Sequence, residues 1–328
     1  MLELLKNKPD FVVEAQKARF RPNLAVQVLI FIAVFVVTQI AAGLPVAIGA
    51  VIKVVTDISS GRTDFTNPAD SMNYAREMMS VNWFSLLTLF CTIIVTILVI
   101  VYCRFIEKRS LYSMGFVKRK AVFNYLLGLV IGAVMFGAGV LICWLTGALV
   151  FNGVILGNSL GLVFAFFLAF LFQGMSEEVM LRGYFMVSIA AKKTVVVAIL
   201  LNSILFALMH ILNNGISLLP VINLTLFGIF ASVYMLRTGN IWGVCAIHSM
   251  WNFVQGNIFG IAVSGINIKA SVLSFVPAVT GTLINGGAFG LEGGLGVTIV
   301  LLAAIIITLL AGAGKNQRSS DIMSESQI

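Results

Sequence analysis

The sequence predicts an all-α, polytopic transmembrane bundle of about eight spans that encloses an intramembrane polar cavity. Of the 328 residues, 59% are hydrophobic and only 10% are charged; soluble domains run at about 45–50% and about 25%. Mean hydropathy is +1.04, and several runs exceed the ~18 apolar residues that mark a spanning helix. Those runs lack the alternation of barrel strands, so in lipid they must satisfy their own backbone groups as helices.

The first span is read at 24–52, with Gly43 and Pro45 as sites for a kink. The others follow at 83–103, 122–147, 159–190, 195–212, 218–236, 241–262 and 294–313. Between the first two, residues 57–82 read as a polar external loop. Residues 264–295 read as a Gly-rich external segment containing "INGGAFGLEGGLG", either a re-entrant hairpin or an ordered loop. The chain then divides into an N-terminal part with two spans and a cytoplasmic linker (1–120), a transmembrane core (121–263), and the external segment, last span and tail (264–328). The first 23 residues are of mixed charge and carry no A-x-A cleavage site, so no removable signal peptide is expected.

The net charge of +8 does not point to nucleic acid, because the basic residues sit in short loops, where they report topology. With the N-terminus inside, 17 of the 21 Lys and Arg fall on the inner side and Lys53, Arg62, Arg76 and Lys269 on the outer side. This predicts a multi-pass protein of the cell membrane with both termini cytoplasmic. The four cysteines, Cys91, Cys103, Cys143 and Cys245, lie in or beside spans without CxxC or metal spacing, and read as small core residues.

Against this background the stretch "QGMSEEVMLRGYF", Gln173 to Phe185, is anomalous: it follows a long uncharged run and holds Glu177, Glu178 and Arg182. If the fourth span is one helix ending at Lys192 and Lys193, Glu177 lies about 22 Å from its end, deep in a core ~30 Å thick. An ionisable side chain there is a functional-site hypothesis by default. Glu178 and Arg182 share a helix face and can neutralise each other. Glu177 points about 100° away and finds no partner on its own helix. Both histidines of the chain also lie in spans. His210 closes "FALMH" about 25 Å from Lys193, so it can face Glu177 across an antiparallel helix interface. His248 opens "HSMWN", and Asn252 shares its face; their depths of about 11 and 17 Å are shallower.

A Glu beside a His can take a proton from water, and a His–Asn pair can hold an oxyanion. These are parts of an amide hydrolase. No GxSxG or Cys nucleophile accompanies them, and Ser176 has no evident base, so water is the better nucleophile. Glu177, His210 and His248 could instead ligate a catalytic zinc, although no HExxH is present. A non-catalytic membrane scaffold and a proton-coupled transporter are the other readings.

At these residues the chain resembles the CPBP family, the CAAX-protease and bacteriocin-processing proteins also called the Abi family. That family carries a Glu-Glu-x-x-x-Arg, a Phe-x-x-x-His and a His-x-x-x-Asn/Asp motif on successive core helices. Here they stand, in order, as Glu177–Arg182, Phe206–His210 and His248–Asn252. The similarity covers about 105–263, from near "RSLYSMGF", and "GGAFGLEGG" looks like bacterial members. The resemblance implies an intramembrane endopeptidase. Eukaryotic members remove three residues after a prenylated cysteine, and bacterial members process peptides or give self-immunity. By carry-over, Glu177 and His210 activate water, His248 and Asn252 hold the oxyanion, and Glu178 and Arg182 organise the site. No cofactor is expected on the glutamate–water reading, with zinc as the alternative. The expected partners are a peptide or membrane-protein substrate and the lipid bilayer, with no nucleic acid. Prenylated substrates are not inferred, and the sequence does not specify an oligomeric state.

Overall fold

The computed structural model describes residues 7–63, 68–79, 81–155, 157, 160–279 and 282–311. Lys6, the last two residues of the eighth expected span, and the tail with Lys315 and Arg318 lie outside them. Helices stand at all eight expected positions. After a short helix α1 (Asp10–Ala15) come α2 (Leu24–Ser59), α3 (Pro68–Met79), α4 (Asn82–Val101), α5 (Ala121–Leu145) and strand β1 (Leu149–Val154). Then follow α6 (Leu160–Glu178), α7 (Val187–Ala190), α8 (Val195–Leu208), α9 (Leu218–Thr238), α10 (Trp242–Phe253), strand β2 (Leu273–Pro277), α11 (Thr282–Asn285) and α12 (Leu295–Leu310).

Five helical runs are long and apolar enough to cross a membrane: Leu24–Ser59, Asn82–Ile106, Ala121–Leu145, Leu160–Ala190 and Leu218–Thr238. The other three expected spans are shorter. Helix α10 is sheathed by neighbours along nearly all its length, so its length need not match the thickness of a lipid layer. Helix α8 stops at Leu208 and gives way to turns. Irregular backbone at membrane depth is tolerated where it lines a cavity, and His210 and Asn213 do so here.

Three expectations need correction. The loop at 57–82 is largely helical: α2 runs to Ser59 and α3 begins at Pro68. Asp57 ties the two together, accepting from Lys53 and from Tyr74 Oη and pairing with Arg62 at 3.3 Å. The all-α reading misses a ribbon in which β1 and β2 pair antiparallel, from Leu149 opposite Pro277 to Val154 opposite Leu273. Neither strand shows a polar–apolar alternation that sequence could flag, and the pairing is long-range. The fourth span is not a uniform α-helix, because residues Val179–Met186 form a π-helix between α6 and α7. Single π turns recur at functional sites, and this one begins just after Glu178.

A buried polar knot holds the π segment. Glu107 and Arg109, 2% and 3% exposed, pair at 3.0 Å. Arg109 also donates to the Gly183 carbonyl at 3.0 Å and to Ser188 Oγ at 3.2 Å, while Gln27 Nε2 on α2 donates to Tyr184 Oη at 3.2 Å. Sequence counted Arg109 as a loop charge, but here it is interior.

Helix α10 packs on α5 and α6, and α9 packs on α8 and α12. The close approach of α10 to α6 depends on Gly174: a Cβ there would stand 2.5 Å from Ser249 N and 2.8 Å from its Cα. Ser249 is the neighbour of His248, so this contact sets the distance between the two motif helices. Gly174→Val should cost roughly 1–3 kcal/mol from overpacking and slow any chemistry that uses both helices. Unfolding titrations in mixed micelles check the first effect, and an unchanged midpoint would show that the helices can part freely.

Candidate active site

Helices α2, α4, α6, α9, α10 and α12 and the turn after α8 surround a cavity of about 580 Å³. Glu177, His210, His248 and Asn252 line it. Glu178 and Arg182 lie behind its wall, both 0% exposed. Arg182 Nη1 donates to Glu178 Oε1 at 2.9 Å, as the i, i+4 spacing predicts. The guanidinium also sits over the Phe206 ring, 4.8 Å from its centroid.

The same Glu178 oxygen holds His248, whose Nδ1 lies 2.7 Å away. A carboxylate on Nδ1 keeps the proton there and leaves Nε2 for chemistry. His248 Nε2 stands 3.7 Å from Glu177 Oε2, too far for a hydrogen bond but close enough to tighten around a substrate. His248 is therefore not shallower than Glu177, as helical counting suggested. The eight-residue π segment breaks the uniform 1.5 Å rise behind that count, and helix α7 after it is itself buried.

Glu177 was expected to lack a partner on its own helix, but Gln173 Nε2, one turn earlier, donates to its Oε1 at 2.6 Å. Gln173 Oε1 in turn accepts from Asn252 Nδ2 at 2.8 Å. Gln173 thus couples the carboxylate to the amide of the third motif. Glu177 Oε2 is buried without a hydrogen-bond partner among the described residues.

His210 lies two residues beyond the end of α8 rather than within it. Its Nδ1 is 2.8 Å from the Phe206 carbonyl oxygen, an acceptor only, so Nδ1 carries the proton and Nε2 is the free base. Phe206 gives the Phe-x-x-x-His spacing a physical reason: its carbonyl holds the tautomer and its ring packs edge-on to His210 and His248, at 4.9 and 6.0 Å. No hydrogen bond or ion pair joins His210 to Glu177 among the described residues; they share the cavity rather than an interface.

Ser176 Oγ donates to the Gln173 carbonyl at 2.8 Å and is 2% exposed, which fits a structural hydroxyl. All four cysteines are buried and free. For zinc, Glu177 Oε2 and His248 Nε2 are near enough to share an ion, but His210 is not gathered with them. Among the described residues no group of three or more His, Cys, Asp or Glu is arranged to hold a metal ion. A catalytic zinc site uses three protein ligands.

Sequence reasoning missed Gln173, Asn223 and Glu292, which also line the cavity. Gln173 had a signal in its i−4 spacing from Glu177. Glu292 is the sole charged residue between Lys269 and Lys315.

A carboxylate, two imidazoles and an amide, set around a cavity in an apolar helix bundle, are the side chains that a membrane-embedded hydrolase uses. Residues 159–254, which hold all three motifs, match the family described as type II CAAX prenyl endopeptidase Rce1-like. Over this segment the chain is similar to the CPBP family of CAAX-type membrane proteases. Comparison with curated proteins and with solved structures finds no match.

Proposed function

We propose that this protein is a glutamate-dependent intramembrane endopeptidase that cuts peptide bonds of membrane-associated proteins or peptides. The observation that carries the reading is Glu177 Oε2 facing His248 Nε2 at 3.7 Å, on a cavity wall where Glu178 anchors the other face of the imidazole. Glu177 takes a proton from water, which His210 Nε2 holds by its other hydrogen. The hydroxide adds to the substrate carbonyl. Protonated His248 through Nε2–H, and Asn252 through Nδ2, donate to the oxyanion. Glu177 then passes its proton to the leaving amine, and the C–N bond breaks to give an acid and an amine. Glu178 and Arg182 orient His248 and keep its charge balanced.

In this reading the chemistry needs no cofactor, and zinc held by Glu177 and His248 with His210 is the alternative. The core at 121–263 carries the catalysis, flanked by the 1–120 and 264–328 parts. The protein sits in the cell membrane with both termini cytoplasmic, which the distribution of Lys and Arg supports.

Purified protein in detergent, given a pooled peptide library read by mass spectrometry, tests the proposal. Wild type should cleave with or without a strong zinc chelator. His210→Ala should cut roughly 10²-fold more slowly. Loss of wild-type cleavage in the chelator would move the reading to the metal site.

A further inference from the structure

We propose that Glu292 selects substrates, and that the cavity takes a peptide with Lys or Arg close to the cut bond; this deepens the peptidase reading and rests on it. The buried acidic side chains outside the cavity wall are all compensated by a cation. Asp57 has Lys53 and Arg62, Glu107 has Arg109, and Glu178 has Arg182. Glu292, 9% exposed, has no Lys or Arg partner among the described residues, yet it lines the cavity. Neutral donors hold both its oxygens: Trp251 Nε1 reaches Oε1 at 3.1 Å, and Ser264 N and Oγ reach Oε2 at 2.8 and 2.7 Å.

The backbone is built to keep it there. Gly290 adopts φ +96, and a Cβ on it would meet the Ala262 carbonyl oxygen at 2.1 Å, so the turn before Glu292 requires glycine. Trp251, which donates to Glu292, lines the same cavity as Asn252 and His248. Among the described residues, Glu177 is the other carboxylate that lines the cavity, and no Lys or Arg lines it. A buried charge without a counter-charge is costly. A basic substrate side chain would supply the missing cation, whereas an acidic one would be repelled.

The test uses paired peptides carrying Arg or its neutral isostere citrulline at each position flanking the cut. Wild type should favour Arg at one position by roughly tenfold in kcat/KM, and the preference should persist as salt rises, because a buried pair is screened little. Glu292→Gln should abolish the preference while still cutting the citrulline peptide. A wild-type ratio near one overturns the inference. So does a Glu292→Gln protein that loses both peptides equally or keeps the Arg preference, because Glu292 would then be only a latch for the Gly-rich segment. If Glu292→Gln does not fold, the wild-type ratio and its salt dependence decide. If no peptide is cut, the peptidase reading fails by itself. The ratio of Arg to citrulline peptide binding, by fluorescence anisotropy on wild-type protein, then decides the inference.

Discussion

Glu177→Gln should reduce peptide cleavage by about 10²–10⁴-fold, the usual contribution of a positioned general base, and leave the bundle folded. The substitution preserves volume. The new amide oxygen can still accept from Gln173 Nε2, which now lies 2.6 Å from Oε1. What disappears is the proton acceptor next to His248 Nε2. Initial rates from the peptide assay, set beside unfolding titrations, check both halves. A rate within tenfold of wild type would remove Glu177 from the chemistry. A collapsed protein would make the carboxylate structural.

The second large effect is on stability. Glu178→Ala should cost roughly 3–5 kcal/mol, because it leaves a fully buried guanidinium without its counter-charge. It also strips His248 Nδ1 of its acceptor at 2.7 Å, so the surviving protein should be inactive. Arg182→Ala should destabilise to a similar degree. The double change to Ala and Met should be less harmful than the sum of the two, since no lone charge remains. A double-mutant cycle in mixed micelles measures this. Additive costs would mean that the pair is not coupled in the folded state.

The sequence alone told much of this. Hydropathy put a helix at each of the eight expected positions, because an apolar helix shows residue by residue. The i, i+4 rule paired Glu178 with Arg182, because that contact lies within one helix turn. The three motifs put Glu177, His210, His248 and Asn252 on one list, and the structure brings all four to one cavity. Local spacing failed where the backbone left α geometry. The π segment at Val179–Met186 undid the depth argument that separated His248 from Glu177. The turn after Leu208 took His210 out of its helix.

Contacts between distant segments belonged to the tertiary structure alone. The β1–β2 ribbon, the Glu107–Arg109 clamp on Gly183, the Gln173 bridge from Glu177 to Asn252, and the arrival of Glu292 beside Trp251 each join residues that no period or motif relates. The type of each element follows from short-range sterics and from the need to satisfy the backbone in lipid, both written in consecutive residues. Which polar groups meet, and which carboxylate is left without a cation, depends on how the helices pack, and only the folded chain decides that.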